Sequence, residues 1–174
     1  MIDLLRERRS IRKYEARGIE FEKVEILKEA LLRSPSSMNR RPWEFIFVDD
    51  KDLLARLSRA KEHGAGFLRD AALGIVVCGD ETVSDVWQED CSIAAIIVQL
   101  AAQSIGLGSC WVQIRNRIHV QGITSEKYIQ GLLGLPENLR VECIISLGYP
   151  AEKKAGIPKE QMEAWKDRIR HLPV

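Results

Sequence analysis

The sequence predicts an α+β fold, and three observations carry the prediction. Helical patterns come first, and the apolar strand patterns that follow are separated by helices of unequal length. The spacing therefore does not suit a regular alternating parallel sheet. The third observation is an uncharged stretch from Cys91 to Ile114, in a chain of 174 residues that is 29% charged. Within it, Ile93, Ile96, Ile97, Leu100 and Ala101 repeat at i, i+3, i+4, i+7 and i+8, and Ala94, Val98 and Ile105 cover much of the opposite side. A helix apolar on most sides is expected to be buried at the centre of something. Gly106 and Gly108 end it, and Cys110, Trp111 and Val112 have strand composition.

The other elements follow in order. Ile2 to Arg8 reads as a short helix, and Arg8, Arg9, Arg12 and Lys13 crowd its C-terminal end. Such a run offsets the helix dipole, and it also suits a phosphate or another anion. Phe21 to Arg33 is a second helix, stopped by Pro35. The loop Pro35 to Trp43 is rich in Ser36, Ser37, Asn39, Arg40 and Arg41, which serve equally as turn residues or as ligand contacts. Glu44 to Val48 is a strand, and Asp49-Asp50 caps a helix predicted to run to about Lys61. Phe67 to Ala72 is a short helical link, and Leu73 to Cys78 a central strand. Trp87 precedes the central helix, as a packing anchor or a pocket lid. Arg115 to Gly122 reads as irregular, Ser125 to Leu133 as a helix, and Val141 to Leu147 as a strand broken by Gly148-Tyr149-Pro150. After Pro158 a last amphipathic helix is expected, with Met162, Trp165 and Ile169 needing a surface to lie against. With no repeat or clear linker, residues 1–174 are expected to form one domain.

Composition narrows the function. A formal net charge of +1 with 45% hydrophobic residues suits a soluble globular protein and makes a nucleic-acid binder using Arg6, Arg8, Arg9, Arg12, Lys13 and Arg17 a poor reading. Cys78, Cys91, Cys110 and Cys143 form no C-x-x-C pair. Buried free thiols and a reducing, cytoplasmic setting are expected. Gln99, Gln103, Ser104, Gly106 and Gly108 interrupt the one membrane candidate. Both G-x-G stretches, from Gly64 and from Gly106, fail the dinucleotide fingerprint, because Arg69 and Trp111 stand at its third glycine. No metal site is indicated, since His63, His119 and His171 are isolated, and there is no nucleophile elbow.

Four segments, in order, resemble the nitroreductase family of FMN-dependent oxidoreductases over almost the whole chain. Arg8-Arg9-Ser10-Ile11-Arg12 resembles the opening R-R-S-x-R/K motif, and Pro35 to Trp43 the P-S-x-x-N-x-Q-P-W loop. Gly106 to Trp111 is similar to the G-L-G-T-C-W turn, and Gly148 to Glu152 to the G-Y-P-A-E segment. The resemblance implies a mixed, mainly antiparallel sheet flanked by helices. It also implies a homodimer with FMN at the subunit interface and the central helix as its spine. Arg8, Arg9 and Ser10 would hold the phosphate and ribityl end, and Arg12 would face the pyrimidine edge. Pro35, Ser36, Ser37 and Asn39 would reach the cofactor from the partner subunit, and backbone near Val112 and Gln113 would lie by its N5 edge. Lys153, Lys154 or Lys159 would complete the phosphate site.

No side chain is assigned as catalytic, because the chemistry would be the flavin's. NAD(P)H would pass a hydride to FMN and leave, and a nitroaromatic, quinone or enone acceptor would follow in a ping-pong cycle. The alternative is a flavin-binding regulator or store without efficient turnover. Arg41 stands where the family has Gln, and Trp111 to Ile114 lacks the glycines that often follow the Trp.

Overall fold

The computed structural model describes residues 1–172. Four strands form one sheet: β1 (Trp43–Val48), β2 (Leu73–Asp80), β3 (Gly108–Gln113) and, last in the chain, β6 (Leu139–Gly148). Their order is β1-β2-β6-β3, and every neighbouring pair is antiparallel. The apolar run in β2 is continuous because both faces of the sheet are covered. On one face Ile75, Val77, Cys143, Ile145 and Leu147 meet Leu27 and Leu31 of helix α2 (Phe21–Leu32), and Ala94, Val98 and Ala102 of helix α4 (Trp87–Ser104). On the other, Val76, Cys78, Val141 and Ile144 meet Leu54 and Leu57 of helix α3 (Lys51–Leu57), and Ile129 of helix α5 (Ser125–Leu133). The pairing slips once: Val77 faces Cys143 while Cys78 faces Val141, so Glu142 is the extra residue of a bulge.

Caps set several boundaries. The Asp50 side chain accepts a hydrogen bond from the Leu53 amide at 2.7 Å, and that of Thr124 one from the Lys127 amide at 3.1 Å. Gly134 ends α5 in the left-handed conformation, at φ 67°.

Four expectations differ from the structure. Helix α3 stops at Leu57, not Lys61. The following turn is instead held by the ribbon of β4 (Ile118–Val120) and β5 (Ile123–Thr124), a stretch that read as irregular. The Glu62 amide donates to the Ile118 carbonyl at 3.4 Å, and the His119 ring hydrogen-bonds the Arg59 carbonyl at 2.8 Å. Helix α4 begins at Trp87, whose side chain is buried as a packing anchor. Burial of this helix within the chain is a separate matter from a buried dimer seam: Ala94, Ala95, Val98 and Ala102 are buried, whereas Ile93 and Ile96 are each 39% exposed among the described residues. Small alanines allow close approach to the sheet, and that leaves the isoleucine stripe facing away. The last helix, α6, spans only Lys159–Glu163, and Met162, Trp165 and Ile169 remain exposed. So short a helix has little to propagate it without burial.

Helix α1 (Ile2–Glu7) matches its expected place. All four cysteines are free and buried, and burial pushes the Cys78 thiol up to about 12. Among the described residues, no helix is long and apolar enough to cross a membrane.

Candidate functional site

The segment after α1 lies along β3, the edge strand. Ser10 bridges Ser109 in parallel, Tyr14 bridges Pro150, and the Ile11 amide donates to the Ser109 carbonyl at 2.9 Å. Ile11 and Tyr14 point into the core. The Tyr14 hydroxyl donates to the Ile11 carbonyl at 2.7 Å, and its oxygen lies 2.7 Å from Ser146 Oγ, while burial drives its pKa far up. This packing requires two of the motif glycines. A Cβ at Gly108 would sit 2.9 Å from Ile11, and one at Gly148 would sit 2.8 Å from the Tyr14 ring. Glycine is needed there for close approach, whereas Gly106 (φ 79°) makes the turn.

With Ile11 and Tyr14 anchored inward, the basic residues gather at the surface beside the segment after Pro150. Glu152 Oε1 accepts from the Arg12 amide at 2.6 Å and the Lys13 amide at 3.3 Å, and lies 3.0 Å from Lys154 Nζ. The Arg12 amide first, and then Lys154, hold this carboxyl below the usual carboxylate range. Lys154 Nζ donates to the Ser10 carbonyl at 2.7 Å, and the Arg9 guanidinium donates to the Ala155 carbonyl. Together Arg9, Ile11, Gly108, Glu152, Lys153 and Lys154 line a cleft of about 520 Å³. Of the three lysines open in the sequence, the structure ties Lys154 to the arginine segment, sets Lys153 in the same cleft, and leaves Lys159 exposed at the start of α6. Glu152 was legible only as a motif letter; as the clamp between backbone and lysine it needed the fold.

Arg12 leads to a second group. Its guanidinium carbon is 5.7 Å from the centre of the Phe67 ring. Lys61 is half-buried in the turn after α3. Burial first, and then Arg117 and Arg12, hold its ammonium below its ordinary range. Sequence reasoning missed Lys61, Phe67 and Arg117, which lie far from any motif. Among the described residues, the side chains of Arg8 and Arg12 have no hydrogen bond and no carboxylate partner. Arg9 and Lys154 line the cleft and Arg8 and Arg12 flank Arg9 in the chain, a density of cationic donors that fits an organic phosphate.

The loop of Pro35, Ser36, Ser37 and Asn39 is anchored elsewhere. The Ser37 amide donates to Asp90, in the first turn of α4, at 2.7 Å. Ser109, which holds Ser10, comes just past the other end of that helix. Asp90 to Ser104 corresponds to about 21 Å of helix axis. One chain therefore anchors the two motif groups at opposite ends of α4. Pro35, Met38 and Asn39 are exposed, and Arg41 turns back to donate to Asn39 Oδ1 at 2.9 Å.

At the end of β3 the Val112 side chain is fully buried in the core, so only its backbone faces the open edge. The Gln113 side chain accepts from Trp111 Nε1 at 2.8 Å and donates to the Arg115 carbonyl at 3.0 Å. Glu142, at the bulge, is 5% exposed, and among the described residues its Oε2 has no hydrogen-bond partner, although Arg115 Nε is 3.7 Å away. Burial raises its pKa, and Arg115 opposes that in part.

This geometry matches known proteins. The chain belongs to the nitroreductase family, whose pattern matches residues 5–65 and 59–149. The structure is similar to that of an FMN-dependent nitroreductase from Clostridium difficile R20291, with a TM-score of 0.96 and 43% identity, covering 100% of both chains. In sequence the chain is 40% identical over 151 residues to a protein of Archaeoglobus fulgidus with the provisional name NADH dehydrogenase/NAD(P)H nitroreductase, covering 84% of this chain and 83% of that one. A Bacillus subtilis FMN reductase [NAD(P)H] is 26% identical over 185 residues, covering 94% of this chain and 71% of its own.

Proposed function

We propose that this protein is an FMN-dependent oxidoreductase that takes electrons from NAD(P)H and passes them to a small organic acceptor of nitroaromatic, quinone or enone type. The observation that carries the reading is the arginine segment clamped along β3, which brings Arg9 into one cleft with Lys153 and Lys154. Arg8, Arg9, Ser10, Lys153 and Lys154 hold the FMN phosphate and ribityl end, and Arg12 faces the pyrimidine edge. FMN, when bound, supplies hydride chemistry at N5. The chain's own residues bind it, orient it and set the charge around it, and no side-chain acid or base is required for the hydride step.

Pro35, Ser36, Ser37 and Asn39 belong to the pocket of a second copy. That assignment is supported by their anchoring at the opposite end of α4 and by the outward stripe of Ile93 and Ile96. The backbone of Val112 and Gln113 forms the open wall beside the ring. The test is to purify the protein, record its visible spectrum, and mix it with NADH or NADPH in a stopped-flow instrument. Flavin bands that bleach within a turnover time support the reading. A protein that binds FMN but is reduced only sluggishly by both donors supports a flavin-binding store instead.

A further inference from the structure

The Pro35–Trp43 loop holds three non-glycine residues in the left-handed region: Met38 at φ 50°, Asn39 at 57° and Arg41 at 52°. Each such residue carries a conformational cost and persists only where its surroundings fix it. Some of that support is internal. Ser36 Oγ accepts from the Arg41 amide at 2.9 Å, and the Ser36 carbonyl from the Asn39 amide at 3.0 Å.

The buried support from outside the loop is Asp90. Its side chain is 2% exposed, with Oδ1 accepting from the Ser37 amide at 2.7 Å and Oδ2 from the Ser84 hydroxyl at 3.2 Å. Ser84 is itself buried. Among the described residues no cation pairs with Asp90. Its place in the first turn of α4 lets the helix dipole favour a carboxylate, and both oxygens go to the Ser37 amide and Ser84 and none to a cation.

We propose that Asp90 is a positioning residue: it fixes the backbone at Ser37 so that Ser36, Ser37 and Asn39 stand preformed toward the cofactor. The inference rests on the reading that this loop contacts FMN in a second copy. Preforming the loop removes an ordering cost that binding would otherwise bear. Asn has the same shape, keeps an acceptor for the Ser37 amide, and can donate to Ser84 Oγ in place of accepting from it. Ala removes both bonds.

The experiment is FMN titration of cofactor-depleted wild type, Asp90→Asn and Asp90→Ala, with the visible circular dichroism of the bound flavin and the thermal unfolding of the cofactor-free proteins alongside. The Ala variant is expected to bind FMN about tenfold more weakly with an altered flavin band, while Asn stays within about threefold of wild type. Near-equal unfolding of the cofactor-free forms would attribute the effect to the loop. An Ala variant with unchanged affinity and flavin dichroism overturns the proposal.

If the Ala variant does not fold, amide hydrogen exchange on cofactor-free wild type decides. The Ser37 amide is expected to be protected within its exposed loop, and free exchange there overturns the proposal. Wild type that takes up no FMN overturns the functional reading as well. Failure of the Asp90 inference alone shows as wild type and Ala variant binding FMN alike.

Discussion

Gly108 lies directly against Ile11: a Cβ built on the glycine would come within 2.9 Å of the isoleucine Cβ and Cγ2. Ile11 is the inward anchor of the arginine segment, and its amide is bound to Ser109, the next residue of β3. Gly108→Ala is therefore expected to push Ile11 off the strand and carry Arg9 and Arg12 with it. Overpacking of this kind costs about 1–3 kcal/mol. Urea unfolding together with FMN titration checks this: affinity should fall along with stability. Full affinity in the Ala variant would show that the segment does not depend on this contact.

Glu142 sets a pH dependence. Burial raises its folded pKa above the unfolded value, so the folded state binds the extra proton in the window between the two. Stability is fully present below the unfolded pKa of about 4.3–4.5 and falls as pH rises through the folded pKa. Glu142→Gln removes that slope. It should be close to neutral at pH 4, where the acid is mostly protonated in both states, and stabilising at neutral pH and above. One buried polar atom without a partner costs about 1–3 kcal/mol, which sets the scale. Denaturant unfolding from pH 4 to pH 8 tests it, and a gain that did not grow with pH would remove Glu142 as the cause.

Much of the fold was legible because it rests on local signals. The periodicity of α2, the Asp50 cap and the apolar run of β2 each depend on residues close in sequence. The boundaries that failed depend on distant partners. Lys61 is helical by local pattern, yet β4 captures that turn's backbone. The apolar periodicity of α4 shows that both its sides are apolar, but it does not tell the face against the sheet from the one left open in a single chain. At the site, the four motifs placed Arg8, Arg12 and Ser37 in view. Glu152, Lys61 and Asp90 stayed hidden because their roles come from contacts across the chain, such as the 53 residues between Ser37 and Asp90.

The isoleucine stripe of α4 yields a prediction about assembly. Ile93 and Ile96 are 39% exposed and Ile97 and Leu100 partly so, an apolar stripe that none of the described residues covers. If it joins two copies, Ile96→Lys buries an unpaired charge there and shifts the protein to monomer. Because the two motif groups sit at opposite ends of α4, the monomer should also lose FMN. Light scattering and the flavin spectrum, measured on one sample at micromolar concentration, report both effects. A wild-type protein that is monomeric and yellow would dismiss the assembly.

On the proposed reading, Arg12 is the residue that would tune the cofactor. Its backbone is fixed by Glu152 at 2.6 Å, its guanidinium sits by Phe67, and it has no carboxylate partner among the described residues. Arg12→Ala should therefore leave Arg8, Arg9 and Lys154 to bind the phosphate, and change mainly the charge beside the ring. Reduction at N5 adds negative charge at the pyrimidine edge, so a cation there favours the reduced form over the oxidised one. A positioned donor in a dry site contributes about 2.7–4 kcal/mol in comparable oxyanion cases. Arg12 is exposed in the isolated chain, and solvent screening lowers the expectation to about 1–2 kcal/mol. For a two-electron couple that is a potential lower by about 20–45 mV. Spectroelectrochemical titration of both proteins, with FMN affinity measured in parallel, decides the point: an unchanged potential with intact binding would show that Arg12 does not face the ring.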